Sequence, residues 1–172
     1  MALKSMSYRS FSVLLAVYKE PTKSLKRTIY SIFSGQYFPK EVIIVVDNPD
    51  YDHGWVEVFC NNLDYDTVFK IIVNDTNIGL AESLNIGAAL ITQKYFARID
   101  VGDICINERF KCQYDYLDNH DISIIGAQVV DATTGRVSSF PTTKFLSYCS
   151  SLVTSAMAHP TFFGRSIIFQ IV

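Results

Sequence analysis

The chain lacks the marks of several common classes. No segment reaches the roughly 18 consecutive apolar residues that a membrane span requires. The longest early apolar run, Phe11 to Val17, is interrupted by Ser12 and ends at Tyr18-Lys19-Glu20-Pro21. It is too short for a signal-peptide core, and no small-residue cleavage site follows it. Cys60, Cys105, Cys112 and Cys149 form no C-x-x-C pair. Neither a zinc site nor a disulfide scaffold is expected, and the cysteines read as free, buried thiols in a reducing compartment. There is no G-x-G-x-x-G, no G-x-x-x-x-G-K-[ST] and no G-x-S-x-G. Those absences speak against the NAD-type dinucleotide fold, the P-loop and the nucleophile-elbow hydrolase. Nor is there a basic excess: 15 Lys and Arg face 17 Asp and Glu, for a net charge of −2. A protein that grips a nucleic-acid backbone usually shows such an excess, so no nucleic-acid partner is expected.

What is present fits one folded unit. The 172 residues are 49% hydrophobic and 19% charged. A chain of this size buries roughly 70% of its unfolded surface, and the composition is too apolar for a disordered tail. The acids are biased in kind, with 12 Asp against 5 Glu. Asp favours turns, caps and hard-cation sites over helix interiors, so the positions of these residues matter.

Short β-branched runs alternate with helical patterns. Strands are expected at Phe11 to Val17, Glu41 to Asp47, Val68 to Val73, Tyr95 to Asp100 and Ile122 to Val130. Helices are expected at Pro21 to Ser34, Tyr51 to Asn62, Ile78 to Leu90 and Glu108 to Leu117. The second helix is expected to turn Trp55, Val58 and Phe59 inward. The second strand is apolar on both faces, as in a parallel sheet covered on both sides. The alternation predicts an α/β fold with a mainly parallel sheet flanked by helices. After Val130 the pattern changes: Asp131 to Gly135 reads as a turn, Arg136 to Phe140 as a returning strand, and Lys144 to Thr154 as weakly helical. The end is apolar from Ile167 to Val172, and a homodimer burying it is one expectation. Residues 1–10 read as a disordered leader or expression remnant, and 11–172 as a single domain.

An α/β sheet binds ligands at the carboxyl ends of its strands. Three strands here end in or run into acid: Asp47, Asn74-Asp75, and Asp100 with Asp103. Each alone reads as a cap or turn residue. Together on one edge they suit two tasks, accepting hydrogen bonds from a base or ribose and holding a divalent cation against phosphates.

The order of blocks resembles family 2 glycosyltransferases, the inverting type with the GT-A (Rossmann-like) fold, over residues 11 to 169. Phe11-Ser-Val-Leu-Leu-Ala-Val-Tyr-Lys-Glu resembles the family's opening strand, and Glu41-Val-Ile-Ile-Val-Val-Asp47-Asn48 resembles E-I-I-V-V-D-D. Asn77-Ile-Gly-Leu-Ala-Glu-Ser-Leu-Asn85-Ile-Gly87 resembles N-x-G-L-x-x-x-L-N-x-G. Ala97-Arg-Ile-Asp-Val-Gly-Asp-Ile-Cys-Ile-Asn-Glu-Arg-Phe110 resembles A-R-M-D-A-D-D-I-x-x-P-x-R-F. Ala158-His-Pro-Thr161 with Arg165 resembles the later A-H-P-S/T block.

The resemblance implies a nucleotide-sugar donor, a UDP-sugar first among them, and a saccharide or lipid-linked acceptor in surface polysaccharide or oligosaccharide synthesis. It implies a cytoplasmic place, with peripheral association at the inner membrane face in the full-length protein. It names Val17, Tyr18, Glu20, Asp47, Gly79, Arg98 and Asp100 as nucleotide-binding residues. Tyr18 would border the base, Asp47 would accept a base N–H, and Gly79 would admit a close approach at a helix N-terminus suited to anions. Leu80, Leu84 and Ala88 read as core, and Asn85 either ties loops or touches ligand. Mg2+ or Mn2+ is the implied cofactor, with Asp100, Asp103 and His159 as its ligands. Here the block departs from the family, because Gly102 replaces the usual middle carboxylate. Either the glycine lets Asp103 reach the ion, or the site is weakened. The family's general base follows the A-H-P block, and no Asp or Glu follows His159 here. The base is therefore expected beyond Val172. The alternative reading is a non-catalytic fragment or remnant that binds nucleotide or serves as an interaction domain.

Overall fold

The structure is a computed structural model that describes residues 7–106, 108–138 and 159–167. Its elements are β1 (Ser7–Val17), α1 (Thr22–Ile32), β2 (Tyr37–Val46), α2 (Gly54–Asn61), β3 (Val68–Val73), α3 (Leu80–Ala89), β4 (Tyr95–Arg98), α4 (Arg109–Asn119), β5 (Ile124–Ile125) and β6 (Phe163–Arg165). A 3-10 turn, His159–Thr161, precedes β6. The six strands form one sheet in the order β3-β2-β1-β4-β6-β5. The first four run parallel, and β6 is antiparallel to both its neighbours. This is the expected α/β sheet with a short mixed C-terminal portion.

Alternation along the central strands sorts the core into two layers. Val13, Leu15, Val17, Val42, Ile44 and Val46 meet α1, α2 and α4 in the larger cluster. Leu14, Ile43 and Val45 meet Ala88 and Leu84 of α3 in a smaller one. A Cβ on Gly87 would lie 2.4 Å from Leu14 Cδ1 and 3.0 Å from Val45 Cγ2. The absence of a side chain there lets α3 lie directly on the sheet.

Several boundaries differ from expectation. β1 begins at Ser7, so residues 7–10, assigned to the leader, pair with β2 through Ser7, Tyr8 and Arg9. The fifth strand shrinks to Ile124–Ile125, because β6 returns between it and β4 and pairs with only those residues. Of the returning strand expected at 136–140, residues 139–140 lie outside the described residues, and among the described ones an isolated bridge joins Val130 and Val137. In α2 the buried residues are Val56 and Cys60, while Val58 is 62% exposed. Starting at Gly54, the helix turns the 56/60 pair inward, and Val58 falls two residues, about 200°, away. Cys60 and Cys105 are buried and free, but Cys112 is exposed. Residues 1–6 of the leader, the 144–154 stretch, Cys149 and residues 168–172 lie outside the described residues.

One buried charge lies on the α3 side of the sheet. Glu41 is 2% exposed. It ion-pairs with Lys70 at 2.5 Å and accepts hydrogen bonds from Ser12 Oγ at 2.5 Å and from Thr92 N and Oγ1 at 3.2 and 3.0 Å. Burial pushes the Glu41 carboxyl upward, but Lys70 and the three donors outweigh burial and hold it below the ordinary range. A carboxyl depressed in the folded state stabilises fully above its unfolded pKa, near 4.3, and the contribution is lost as pH falls through the folded value. Glu41→Gln is expected to cost about 3 kcal/mol, since breaking a buried pair leaves its partners uncompensated. It should also flatten the fall in Tm between pH 5 and pH 3, measured by circular dichroism. An unchanged acid slope would assign the acid loss to other groups.

Candidate donor site

The chain leaves β1 and β2 on the same edge of the sheet, and the N-terminus of α3 closes over that edge. Between them lies a cleft of about 210 Å³ lined by Ala16, Val17, Tyr18, Glu20, Asp47, Asn77, Gly79 and Leu80. Five of the seven nucleotide-binding candidates thus meet in one place: Val17, Tyr18, Glu20, Asp47 and Gly79. Arg98 and Asp100 do not line it. They stand at the end of β4, the neighbour of β1, where Arg98 is in register with Leu14.

Each wall has a local cause. Glu20 Oε2 accepts the N–H groups of Tyr18 and Lys19 at 2.7 and 3.2 Å, which closes the turn after β1. Asn48 Nδ2 donates to the Tyr18 carbonyl at 3.1 Å and ties that turn to the end of β2. The Tyr18 ring is exposed, and hydrogen bonds with Lys19 and Asn77 hold its hydroxyl below the usual phenol range.

Asp47 is the centre of the loop architecture and only 4% exposed. Its Oδ1 accepts from Asn74 Nδ2 and Ile78 N, and its Oδ2 from Gly79 N, each at 2.9 Å. Ser83 Oγ accepts from the same Asn74 Nδ2 at 2.9 Å and helps to lower the Asp47 pKa. Burial raises its pKa, yet these donors together hold it below the ordinary range. A carboxylate has about four acceptor positions, and three protein N–H donors engage both of its oxygens. The anion expected at the N-terminus of α3 is therefore Asp47 itself. Gly79, at φ 87°, makes the turn that aims two successive N–H groups at it. Leu80, expected in the core, is 52% exposed on the cleft rim. Asn85 bonds Glu82 on its own helix at 3.4 Å and ties no loops. Asp75 is exposed, and its neighbour Asn74 is the residue that joins the cluster.

The acidic loop after β4 is organised by arginines. Arg98 grips Asp100 with two hydrogen bonds, Nε to Oδ1 at 2.9 Å and Nη2 to Oδ2 at 3.2 Å. Gly102 takes φ 106°, and its N–H donates to Thr28 Oγ1, which in turn donates to the Asp103 carbonyl. Burial, then the charge of Asp100, raises the Asp103 carboxyl, against a smaller opposing effect of Arg109. His159 lies edge-on to Phe162, with ring centroids 5.2 Å apart. Among the described residues, no three His, Cys, Asp or Glu side chains gather as a cation cage. Asp100, Asp103 and His159 are thus not assembled as a metal centre. Both oxygens of Asp100 are held by Arg98, and the middle position has no donor atom. The side chains do not fit a preformed divalent site.

Arg109 is the residue that sequence reasoning misses: it falls inside a matching block, but nothing in the block marks its role. Its Nη2 donates to the carbonyls of Arg98 and Pro160 at 2.7 and 3.1 Å, and its Nε to Gln113 Oε1 at 3.0 Å. Gln113 Nε2 donates to the Thr161 carbonyl at 2.9 Å. The acidic loop and the His159 block are thereby fastened to α4. Burial pushes the Arg109 guanidinium pKa down. Arg165 is spent on carbonyls at the C-terminal end of α4 and just past it, those of Leu117, His120 and Ile122.

Comparison with known proteins agrees with this architecture. A relative from Erwinia amylovora, amylovoran biosynthesis glycosyltransferase AmsE, is 29% identical over 123 residues, which are 70% of this chain and 46% of that protein. An uncharacterized glycosyltransferase of Methanocaldococcus jannaschii is 33% identical over 115 residues, 66% of this chain and 39% of its own length. The chain therefore spans less than half of these relatives. Among solved structures, S. aureus TarS in complex with UDP-GlcNAc superposes with a TM-score of 0.71 at 20% identity, over 95% of this chain and 47% of that one. Mannosyltransferase PcManGT from Pyrobaculum calidifontis, in complex with GDP-Man and Mn2+, gives 0.62 at 15% identity, over 71% and 36%. These likenesses show the GT-A fold. The model of the family described as glycosyl transferase family 2 matches residues 12–169, and the chain belongs to that family.

Proposed function

We propose that this chain forms the donor-binding part of a sugar transferase, with the nucleoside of a UDP-sugar in the cleft between β1, β2 and α3. The observation that carries this reading is the convergence of Tyr18, Glu20, Asp47, Asn77 and Gly79 on one 210 Å³ cleft at the carboxyl edge of a parallel sheet. The base borders the Tyr18 ring, and Asp47 shapes the pocket by holding Ile78 and Gly79. The diphosphate then extends over β1 toward β4. In the reaction, an acceptor hydroxyl attacks the anomeric carbon. Its oxygen–carbon bond forms as the bond to the diphosphate oxygen breaks, with inversion, and a general base takes the hydroxyl proton. The acceptor is a saccharide or lipid-linked sugar of surface polysaccharide synthesis, a setting that the name of the Erwinia relative supports. Work on a lipid-linked acceptor would place the protein in the cytoplasm, at the inner membrane face. Among the described residues no helix is long and apolar enough to cross a membrane.

Isothermal titration of the purified chain with UDP, GDP and CDP tests the donor reading. UDP is expected to bind with a Kd of about 10–100 μM, an interaction of roughly 5–7 kcal/mol, and more tightly than the other two. Absence of binding by every nucleoside diphosphate would sink it and favour the interaction-domain alternative.

A further inference from the structure

We infer that the Arg98 guanidinium, oriented by Asp100, supplies the positive charge for the donor's diphosphate in this chain, so that nucleotide binding needs no divalent cation. The inference rests on the reading of the cleft as a donor site. Four observations carry it.

First, Gly102 offers no side-chain donor where the family has a carboxylate, and its φ of 106° lies outside the region an aspartate adopts readily. Second, both oxygens of Asp100 are engaged by Arg98, so the carboxylate that would hold an ion already holds a cation. Third, half-buried Arg109, fastened to the Arg98 carbonyl, adds a second guanidinium whose charge acts on both Asp100 and Asp103. The two carboxylates of this loop thus face two positive charges from the protein itself. Fourth, Arg98 is placed to act. Along β4, Ala97 and Ile99 enter the larger core, so Arg98 falls on the opposite face, the face covered by α3 and shared with Ala16 of the cleft. It stands one strand from the nucleoside pocket. Two of its five N–H donors bind Asp100, and no protein acceptor is bonded to Nη1 among the described residues. A guanidinium fixed by a carboxylate fork presents its remaining edge in a set direction, which suits a phosphate oxygen. Asp100 is accordingly a positioning residue for Arg98.

The test is calorimetric titration of the chain with UDP, UMP and uridine, in EDTA and in Mg2+ or Mn2+. The UDP Kd is expected to change by less than about 3-fold on adding either metal, and Arg98→Gln should weaken UDP by about 10-fold or more, the size of one charge-assisted phosphate contact. Uridine binding should be unchanged by that substitution, which separates loss of a phosphate contact from a disturbed fold. Arg98→Lys, which keeps the charge without the fork, should fall between the two. The metal comparison uses the unaltered chain and so stands even if a variant fails to fold. A rise in UDP affinity of about 10-fold or more with Mn2+, or equal weakening of UDP and uridine by Arg98→Gln, overturns the inference while leaving the donor site intact. If neither UDP nor uridine binds in any buffer, the donor-site reading falls, and this inference with it.

Discussion

Asp47→Ala is expected to abolish UDP binding and to lower folding stability by about 2–4 kcal/mol, because several buried donors lose their acceptor at once. Asn74 Nδ2, Ile78 N and Gly79 N all point at this carboxylate. Without it, the N-terminus of α3 loses its compensating anion, and Ile78 and Gly79 lose the carboxylate that holds them at the cleft wall. Asp47→Asn is the sharper variant. It keeps the shape, but it turns one oxygen into an NH2 group that must face either the Gly79 N–H or the two donors at Oδ1. It should therefore cost nearly as much as the alanine, and UDP affinity should drop by about 10-fold or more, in line with one lost charge-assisted contact. Urea unfolding gives the first quantity and calorimetry the second. If Asp47→Asn bound UDP normally and unfolded at the wild-type midpoint, the carboxylate would not be the organiser of this site.

Arg109→Ala should be comparably damaging, at about 3–5 kcal/mol. It strips two backbone carbonyls of their shared donor, and it leaves a gap where the half-buried side chain packed. The hydrogen bonds it removes tie Arg98 to Pro160 and the end of β4 to α4. Arg109→Lys retains a charge but cannot span both carbonyls and Gln113 together, so most of the loss should remain. The substitution should also loosen the clamp between Arg98 and Asp100, because the Arg98 carbonyl is one of the anchored groups. Hydrogen exchange of the amides of Asp103 and Phe162 reports this directly. They donate to Asp100 and His159 carbonyls in the intact loop. Faster exchange at both sites is expected in a chain that remains folded. Unchanged protection there would confine Arg109 to local packing in α4.

The element pattern was legible in the residues because burial dictates it. Val68 to Val73 is a strand with the expected ends, and the uninterrupted apolar run of β2 is buried on both faces. The Asp residues at strand ends could be found for the same reason, since a parallel sheet delivers every such end to one edge. The fifth strand could not be read. Its pairing depends on β6, which lies some forty residues later and inserts between β4 and β5. No local periodicity records that insertion.

The side-chain roles divide along the same line. Sequence by itself determined the family, the α/β sheet, the edge that carries the site, and the loss of a carboxylate at Gly102. The sheet and its acidic edge follow from composition and alternation, and the family and the Gly102 departure from the resemblance of the ordered blocks. Tertiary structure decided what each charge touches. Asp47 could be placed at a strand end from its position alone. That its oxygens are engaged by Asn74, Ile78 and Gly79 depends on α3 folding back across β2. Arg98 and Asp100 could be read as neighbours in an acidic block. That they close on each other, leaving no carboxylate of that block open as a preformed metal ligand beside Asp103, is a matter of rotamer and register. Hydrogen-bond partners are set by three-dimensional proximity, and a buried charge takes the donors or counter-charge that folding brings beside it, whatever their distance along the chain.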